Sequence, residues 1–176
     1  KKNQHKIRSA FMGRFLKPDL KIESIYDIDP EMLKINGIKG LLFDIDNTLE
    51  EYATKVPGKK VSDFLRKLYD LGFKIGIVSN AKPERAAAFV AGFPKDDYPN
   101  VFFVGKAGKP LKRGFAEISD IMGIDLKYLA MVGDQLFTDI LGGNRSGCFS
   151  ILVNPINIKI EPGFVRFKRF FEKPFL

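Results

Sequence analysis

Histidine, cysteine and long apolar segments are nearly absent from this sequence. His5 is the only histidine and Cys148 the only cysteine among 176 residues, which excludes multi-histidine metal sites, histidine-based catalysis and an internal disulfide framework. Cys148 precedes an apolar segment and is interpreted as a small buried hydrophobic residue. No apolar run approaches the roughly 20 residues that span a bilayer, and no signal peptide is visible after Lys1. We therefore expect a reducing compartment, the cytoplasm or an organelle matrix.

Positive charge is in excess and is concentrated at the two ends of the chain. The formal net charge is +8 and 45% of the residues are hydrophobic. This composition predicts a folded domain that attracts polyanions, namely nucleic acid, anionic lipid or a phosphorylated substrate. We assign 1–176 to one domain, with a core at 38–153 and basic extensions at 1–20 and 160–176. The cations at the ends are Lys1, Lys2, Lys6, Arg8, Arg14, Lys17, Arg166, Lys168, Arg169 and Lys173.

Apolar segments and helical patterns alternate along the middle of the chain. This alternation predicts a parallel sheet covered by helices on both faces, which is a three-layer α/β fold of the Rossmann-like type. The predicted strands span 39–44, 73–79, 101–104, 129–133 and 149–153. The predicted helices span 30–37, 60–71 and 110–122, and two more begin at Pro83 and Thr138.

Two carboxylates follow the first predicted strand. An apolar run ends at Asp44, and Asp46 comes two residues later. Period-two alternation places both acids on the same side of an extended segment, at the strand end where open α/β sheets bind ligands. Two such acids repel each other unless a cation lies between them or one keeps its proton. A metal-assisted nucleophile beside a proton donor meets this requirement, whereas the simpler alternative is a loop whose carboxylates cap the next turn.

Polar residues also follow the next two strands. Ser79 and Asn80 stand at a strand-to-helix junction, where a hydroxyl and backbone N–H groups can cradle phosphate oxygens. A plain helix cap is the alternative. Lys109 precedes Pro110, which keeps the lysine out of helical geometry and places its ammonium at the lip of the sheet. Lys106 is the competing candidate for neutralising a bound phosphate.

The fourth predicted strand repeats the pattern of the first. It ends in Gly133 and Asp134, and Asp139 follows one turn later. Carboxylates that converge on one edge of a sheet form an oxygen-rich site for a hard cation. We expect Mg²⁺, because a chain so poor in histidine and cysteine argues against zinc.

These motifs, in this order, resemble those of the haloacid dehalogenase-like (HAD) phosphatase superfamily. The matching positions are DxDxT at 44–48, a serine after the second strand, Lys-Pro at 109–110 and GDxxxxD at 133–139. The resemblance extends over 38–153. It is closer to one capless subfamily (subfamily III), the YqeG-type proteins and the phosphatidylglycerophosphate phosphatases, through the segments 24–28, 43–49 and 132–144.

The resemblance implies a role for each of these residues. Asp44 would be the nucleophile that attacks phosphorus, and Asp46 would protonate the leaving alkoxide and then activate water. Mg²⁺ would be held by the carboxylates of Asp44 and Asp134 and the backbone carbonyl of Asp46, with Asp139 supporting them. The residues expected to bind the phosphoryl oxygens are Ser79, Asn80 and Lys109.

The sequence leaves no room for a large cap domain over this site. Residues 50–59 form only a short turn, and residues 81–109 hold one helix and one strand. An uncapped site cannot enclose a small metabolite, so we expect a protein, a nucleic acid or a membrane surface to complete it.

The carboxyl-terminal extension bears on which surface that is. Phe164, Phe167 and Phe171 share one helical face, and cations lie elsewhere. This pattern fits an interfacial helix on anionic lipid, or a terminal helix that docks on the core with its charges solvated. Basic-aromatic segments also stack on RNA, but no recognised nucleic-acid motif is present, so no nucleic-acid partner is expected. If the helix binds lipid, deleting the residues after Glu161 should weaken liposome binding and lipid turnover together, with little change in the turnover of a soluble substrate.

The sequence as a whole predicts an Mg²⁺-dependent phosphomonoesterase that acts on phosphatidylglycerophosphate. Its expected partner is an anionic lipid, with peripheral attachment to the inner face of a membrane. A phosphatase for a protein or a nucleotide is the alternative enzyme. An RNA- or protein-binding adaptor with a vestigial phosphatase site is the alternative from another class, although an adaptor has no need for Asp44, Asp46, Lys109 and Asp134 together.

Overall fold

Six parallel strands form one sheet in the computed structural model of the protein, which describes residues 15–94 and 100–175. The strands are β1 (Leu20–Ile22), β2 (Gly40–Phe43), β3 (Lys74–Val78), β4 (Phe102–Val104), β5 (Leu129–Gly133) and β6 (Phe149–Val153). Their spatial order is β1-β6-β5-β2-β3-β4. The predicted α/β class is therefore confirmed. The basic residues before Phe15 lie outside the described residues.

Helices cover both faces of the sheet. They are α1 (Pro30–Ile35), α2 (Lys59–Asp70), α3 (Pro83–Ala91), α4 (Arg113–Met122), α5 (Leu141–Ser146) and α6 (Gly163–Glu172). Helix α2 buries Val61, Leu65 and Leu68 at helical spacing. It ends where Gly72 adopts a φ of 96°, a left-handed conformation that glycine takes without steric cost.

The central strand β2 is buried on both sides, which explains its continuous apolar sequence. Leu41 and Phe43 join the core under α2 and α3. Leu42 points to the opposite face and packs in a second core with Phe115 and Ile118 of α4. Because side chains alternate along a strand, the two faces produce a three-layer arrangement.

The sheet contains one strand more than the sequence pattern predicts. Strand β1 is an edge strand of three residues that pairs with β6 alone, and its apolar side chains are only half-buried. Such a short strand produces no detectable alternation, so it fell outside the predicted core. Asp19, just before it, accepts hydrogen bonds from the backbone N–H of Ser150 at 2.8 Å and from its Oγ at 3.1 Å.

Helix α4 begins later than predicted, at Arg113 rather than Pro110. Residues 108–111 instead form a turn in which Leu111 N donates to Gly108 O at 2.8 Å. This turn leaves Lys109 outside the helix, as expected from the proline that follows it.

The carboxyl ends of β2, β3 and β5 meet at one edge of the sheet. Residues 44–58 connect β2 to α2, and α3 with its flanking loops connects β3 to β4. Within the described residues, neither connection contains an additional domain. None of the described helices has the length and hydropathy that crossing a membrane requires.

We predict that Asp19→Ala lowers the free energy of unfolding by about 1–2 kcal/mol, because the buried Ser150 loses the acceptor for its N–H and hydroxyl. Urea unfolding followed by circular dichroism measures the change. The control is Asp63→Ala, which removes an exposed ion pair with Lys59 and should change stability by less than about 0.5 kcal/mol. Equal effects would mean that the segment before β1 does not contribute to the folded core.

Candidate active site

A buried ion cluster lies at the edge of the sheet where β2 and β5 end. Lys109 Nζ is 2.7 Å from Asp44 Oδ1 and 2.7 Å from Asp139 Oδ1, and only 2% of the lysine side chain is exposed. Gly133 permits this approach, because a Cβ atom there would lie 2.4 Å from the Cβ of Asp139. The lysine is thus held between two carboxylates, and Lys106, the competing candidate, is not part of the cluster.

Asp134 completes the group of acids. Its Oδ1 accepts a hydrogen bond from Thr48 Oγ1 at 3.1 Å. Carboxylate oxygens of Asp44, Asp134 and Asp139 lie within 4.8 Å of one another, and all three residues are buried. The sequence motifs had predicted that these three acids converge, and the structure brings them together.

The donor set of this cluster fits a hard divalent cation. All ligand atoms offered are oxygens, as Mg²⁺ requires. The Oδ1 atom of Asp139 is buried and has the ion contact with Lys109 but no hydrogen bond. The carboxylate of Asp46 lies outside the group of three, so any contribution from Asp46 to a metal would come from its backbone carbonyl, as the family resemblance implies.

Burial shifts the protonation of these acids. Burial raises the pKa of Asp44 to about 7, an effect that Lys109 opposes and Asp139 increases. Burial likewise raises the pKa of Asp134 to about 8, against the opposing effect of Arg169. For Lys109, burial alone would lower the pKa, but Asp139 and Asp44 raise it overall. Lys109 therefore keeps its positive charge. A further cation would stabilise the ionised form of the acids.

Asp46 has a separate partner that the sequence did not indicate. Arg85, on α3, donates two hydrogen bonds to its carboxylate, at 2.7 Å and 2.6 Å. The backbone N–H of Ala53 donates a third, at 2.8 Å. The hydrogen bonds that Arg85 donates to Asp46 raise the pKa of the arginine despite its partial burial. This bidentate pairing fixes the orientation of the Asp46 side chain beside Asp44.

The predicted phosphate-binding residues lie at the same edge but differ in what they contact. Asn80 accepts from Lys109 N at 2.8 Å and donates to Lys109 O at 3.0 Å. Its side chain therefore holds the backbone of the lysine, which leaves its own backbone N–H as the group able to meet a phosphate. Ser79 Oγ accepts a hydrogen bond from Ala81 N at 3.1 Å, which orients the hydroxyl.

A pocket of about 460 Å³ joins these groups. Asp44, Asp46, Ser79, Asn80 and Lys109 all line it. Asp134 and Asp139 do not line this pocket, although Asp139 contacts Lys109, which does. The five residues predicted for catalysis and phosphate binding are thus brought together around one cavity.

The carboxyl-terminal helix contributes directly to the site. Arg169, on α6, donates to both carboxylate oxygens of Glu161, through Nε at 2.9 Å and 2.8 Å, and to the Asp134 carboxylate. Its Nη1 also donates to Asp134 O at 3.1 Å. Glu161 in turn accepts from Asn47 Nδ2 at 2.5 Å. The tail is therefore connected to the loop after β2 by a hydrogen bond and to the end of β5 by an ion pair.

The sequence matches a family of known proteins. A protein-family model described as "Hydrolase: haloacid dehalogenase-like hydrolase" matches residues 50–147. The chain belongs to this family. The predicted superfamily is thereby confirmed.

Relatives with known names agree with the assignment. The chain is 34% identical to "Probable phosphatase YqeG" of Bacillus subtilis (strain 168) over 94% of its own length and 92% of the relative. It is 31% identical to "Phosphatidylglycerophosphate phosphatase 1, chloroplastic/mitochondrial" of Arabidopsis thaliana over 87% of its length, but spans only 45% of that protein. An uncharacterized protein from Listeria monocytogenes serotype 4b has the same fold, with a TM-score of 0.57 and 24% identity over 71% of this chain and 85% of that one. The chain is a phosphatase of the HAD type.

Sequence reasoning missed the two arginines of the site. Nothing in the sequence around Arg85 distinguishes it from other exposed helix cations. The sequence groups Arg169 with the terminal cations expected to attract polyanions, and this expectation is wrong for Arg169 because its guanidinium is engaged by Glu161 and Asp134. The acidic partner Glu161, eight residues earlier, was the only local signal.

We predict that Arg169→Met lowers the free energy of unfolding by roughly 3 kcal/mol, because it leaves Glu161 and Asp134 buried without their counter-ion. Chemical denaturation measures this change. Arg166→Met, on the exposed side of the same helix, is the control and should cost less than about 0.5 kcal/mol. Adding Glu161→Gln to Arg169→Met should recover part of the loss. Without that recovery, the ion pair would not be the cause.

Proposed function

We propose that the protein is an Mg²⁺-dependent phosphatase that hydrolyses the phosphomonoester of phosphatidylglycerophosphate. The observation that carries this proposal is the buried cluster of Asp44, Asp134 and Asp139. Two of these acids pair with Lys109, and Asp44, Lys109 and Ser79 line one pocket. This combination supplies a nucleophile, a cation site and phosphate-binding groups within one cavity.

Asp44 and Asp46 divide the two chemical steps between them. In the first step, an oxygen of Asp44 forms a bond to phosphorus while the bond between phosphorus and the glycerol oxygen breaks. The departing glycerol oxygen takes a proton from Asp46. In the second step water attacks the aspartyl-phosphate, gives its proton to Asp46 and releases inorganic phosphate from Asp44. Arg85 holds the Asp46 carboxylate on the wall of the pocket, and Asp46 would act as the acid after it leaves this pair and takes up a proton from water.

The remaining groups stabilise the charge on the phosphoryl oxygens. Lys109, together with the Ser79 hydroxyl and the backbone N–H of Asn80, faces the position of the transferred phosphate. Asp44 and Asp134, with the backbone carbonyl of Asp46, would hold Mg²⁺ while Asp139 anchors Lys109. The ion would supply positive charge that lets an anionic nucleophile approach an anionic phosphate.

Two observations support a lipid phosphomonoester as the substrate. A relative that is 31% identical carries the name phosphatidylglycerophosphate phosphatase. The site also lacks an inserted cap within the described residues, so its pocket opens to a surface that a membrane can supply. We place the enzyme in the cytoplasm or an organelle matrix, peripherally attached to the inner face of a membrane. The intact set of carboxylates argues against a vestigial site in an adaptor.

We predict that the protein releases phosphate from phosphatidylglycerophosphate in detergent micelles and that Asp44→Asn lowers the turnover at least about 10³-fold, because the amide cannot act as the nucleophile. A malachite-green phosphate assay measures the rates. Asp70→Asn, in an exposed pair with Arg66, is the matched control and should retain full activity. Turnover by a folded Asp44→Asn protein would refute the mechanism. Release from nucleotides or phosphopeptides but not from this lipid would refute the substrate.

We predict that EDTA abolishes turnover and that Mg²⁺ restores it. The metal should also stabilise the fold, and more at pH 8 than at pH 6. Asp44 and Asp134 have folded pKa values raised to about 7 and about 8, so the metal-free protein binds extra protons and loses stability as the pH rises from about 4 to about 8. A divalent cation replaces those protons. Thermal melting with EDTA or Mg²⁺ at both pH values tests this, and a melting temperature that ignores Mg²⁺ at pH 8 contradicts it.

A further inference from the structure

Helix α6 exposes four phenylalanines, whereas its Glu172 is buried and its Arg169 is partly buried. An ordinary surface helix turns its apolar side chains toward the core. The exposed aromatic face consists of Phe164 (63% exposed), Phe167 (64%), Phe170 (64%), Phe171 (50%) and, just after the helix, Phe175 (53%). Phe164, Phe167 and Phe171 lie at helical spacing on one side of the helix. Edge-to-face ring contacts join Phe171 to Phe167 and to Phe170.

Polar contacts, rather than aromatic packing, hold this helix on the protein. Arg169 pairs with Glu161 and Asp134, and the buried Glu172 accepts from Phe137 N at 2.9 Å. Val165 is the apolar residue that the helix buries. The helix therefore docks on the core through one side, as one of the two alternatives drawn from the sequence predicts. Its other side keeps the exposed aromatic face that the lipid-binding alternative requires.

Cations border the exposed aromatic face. Arg166, Lys168 and Lys173 are exposed. Phe167 and Phe170 also line a largely apolar cleft of about 750 Å³ together with Ile158, and Arg166 and Lys173 line the same cleft. An apolar surface bordered by positive charge matches a lipid interface, in which acyl chains lie below anionic headgroups.

The same helix forms a wall of the active-site pocket. Phe164, Val165 and Lys168 line that pocket together with Asp44 and Lys109. A surface that seats the aromatic face would therefore lie beside the opening through which a phosphate reaches the nucleophile.

We propose that the exposed aromatic face of α6, with Arg166 and Lys173, docks the enzyme on an anionic lipid bilayer and brings the pocket against the headgroups. The choice of a lipid phosphate as the molecule turned over there rests on the proposed function. A symmetric pairing of two copies through this face would set its cations against the same cations of the second copy, which disfavours a dimer.

Binding to vesicles tests this surface without requiring catalysis. The full-length protein is sedimented with vesicles of phosphatidylcholine, with or without phosphatidylglycerol, at low and high salt. Phe167→Gln/Phe170→Gln should weaken binding at least about tenfold. Its matched control is Ile35→Gln/Ile121→Gln, which removes two exposed apolar side chains elsewhere. Arg166→Gln/Lys173→Gln should weaken binding about twentyfold at low salt, with a small effect in about 1 M salt. Its control is Lys67→Gln/Lys127→Gln.

The expected result is that both α6 variants lose vesicle binding while the controls bind as the unaltered protein does. Hydrolysis of soluble p-nitrophenyl phosphate should be unchanged in all four. Equal vesicle binding by the α6 variants and their controls would overturn the docking surface, as would an unaltered protein that never binds anionic vesicles. The docking surface would also be overturned if the α6 variants lost self-association, or binding to single-stranded RNA, while their vesicle binding stayed unchanged. Vesicle binding without any phosphatase activity would instead refute the proposed function alone.

Deleting the tail after Glu161 is not a clean alternative to these substitutions. The deletion would remove Arg169 together with the aromatic face, and so would expose the charges of Glu161 and Asp134. Soluble-substrate turnover is then expected to fall as well, which corrects the expectation drawn from the sequence. Substitutions on the outer face separate lipid binding from the integrity of the site.

Discussion

Four carboxylates share one small buried region of this protein, and their mutual repulsion governs how the surrounding residues are arranged. Asp44, Asp134, Asp139 and Glu161 are all nearly inaccessible to solvent. If all four were ionised, the positive charges of Lys109 and Arg169 would leave two negative charges in excess. Without a metal, protons bound to Asp44 and Asp134, whose pKa values are raised to about 7 and about 8, reduce this excess. A single divalent cation would remove that excess. The need to neutralise the acids thus explains the buried lysine, the arginine from the tail and the fit to Mg²⁺.

The arginine from the tail changes what a capless site means here. In sequence, residues after 160 are an extension remote from the catalytic motifs. In the structure, Arg169 bonds to the same aspartate that the GDxxxxD motif supplies, and neighbouring residues of α6 form a wall of the pocket. The helix therefore takes over part of the enclosing role of a cap, although it covers one side only and leaves an opening toward its aromatic face.

The sequence predicted the parts of this site that depend on strand ends. Asp44, Ser79 and Asp134 each follow an apolar strand, and parallel strands bring their carboxyl ends to one edge, so their convergence follows from the fold class. Arg85 and Arg169 were not predictable in this way. Each reaches the site from a helix face, and its partner depends on how that helix packs on the sheet. Strand β1 was missed for a different reason, because three half-buried residues carry too little pattern.

The inner face of α6 explains why its aromatic side chains lie on the outer face. An arginine and a glutamate can be buried there because Glu161, Asp134 and the N–H of Phe137 satisfy them. With Arg169 and Glu172 directed inward, the outer face of the helix carries four phenylalanines and the exposed cations Arg166 and Lys168. Exposure of such an aromatic face to water is unfavourable, whereas its contact with acyl chains is favourable. The interactions that complete the acid cluster therefore also determine which side of α6 carries the exposed aromatic face.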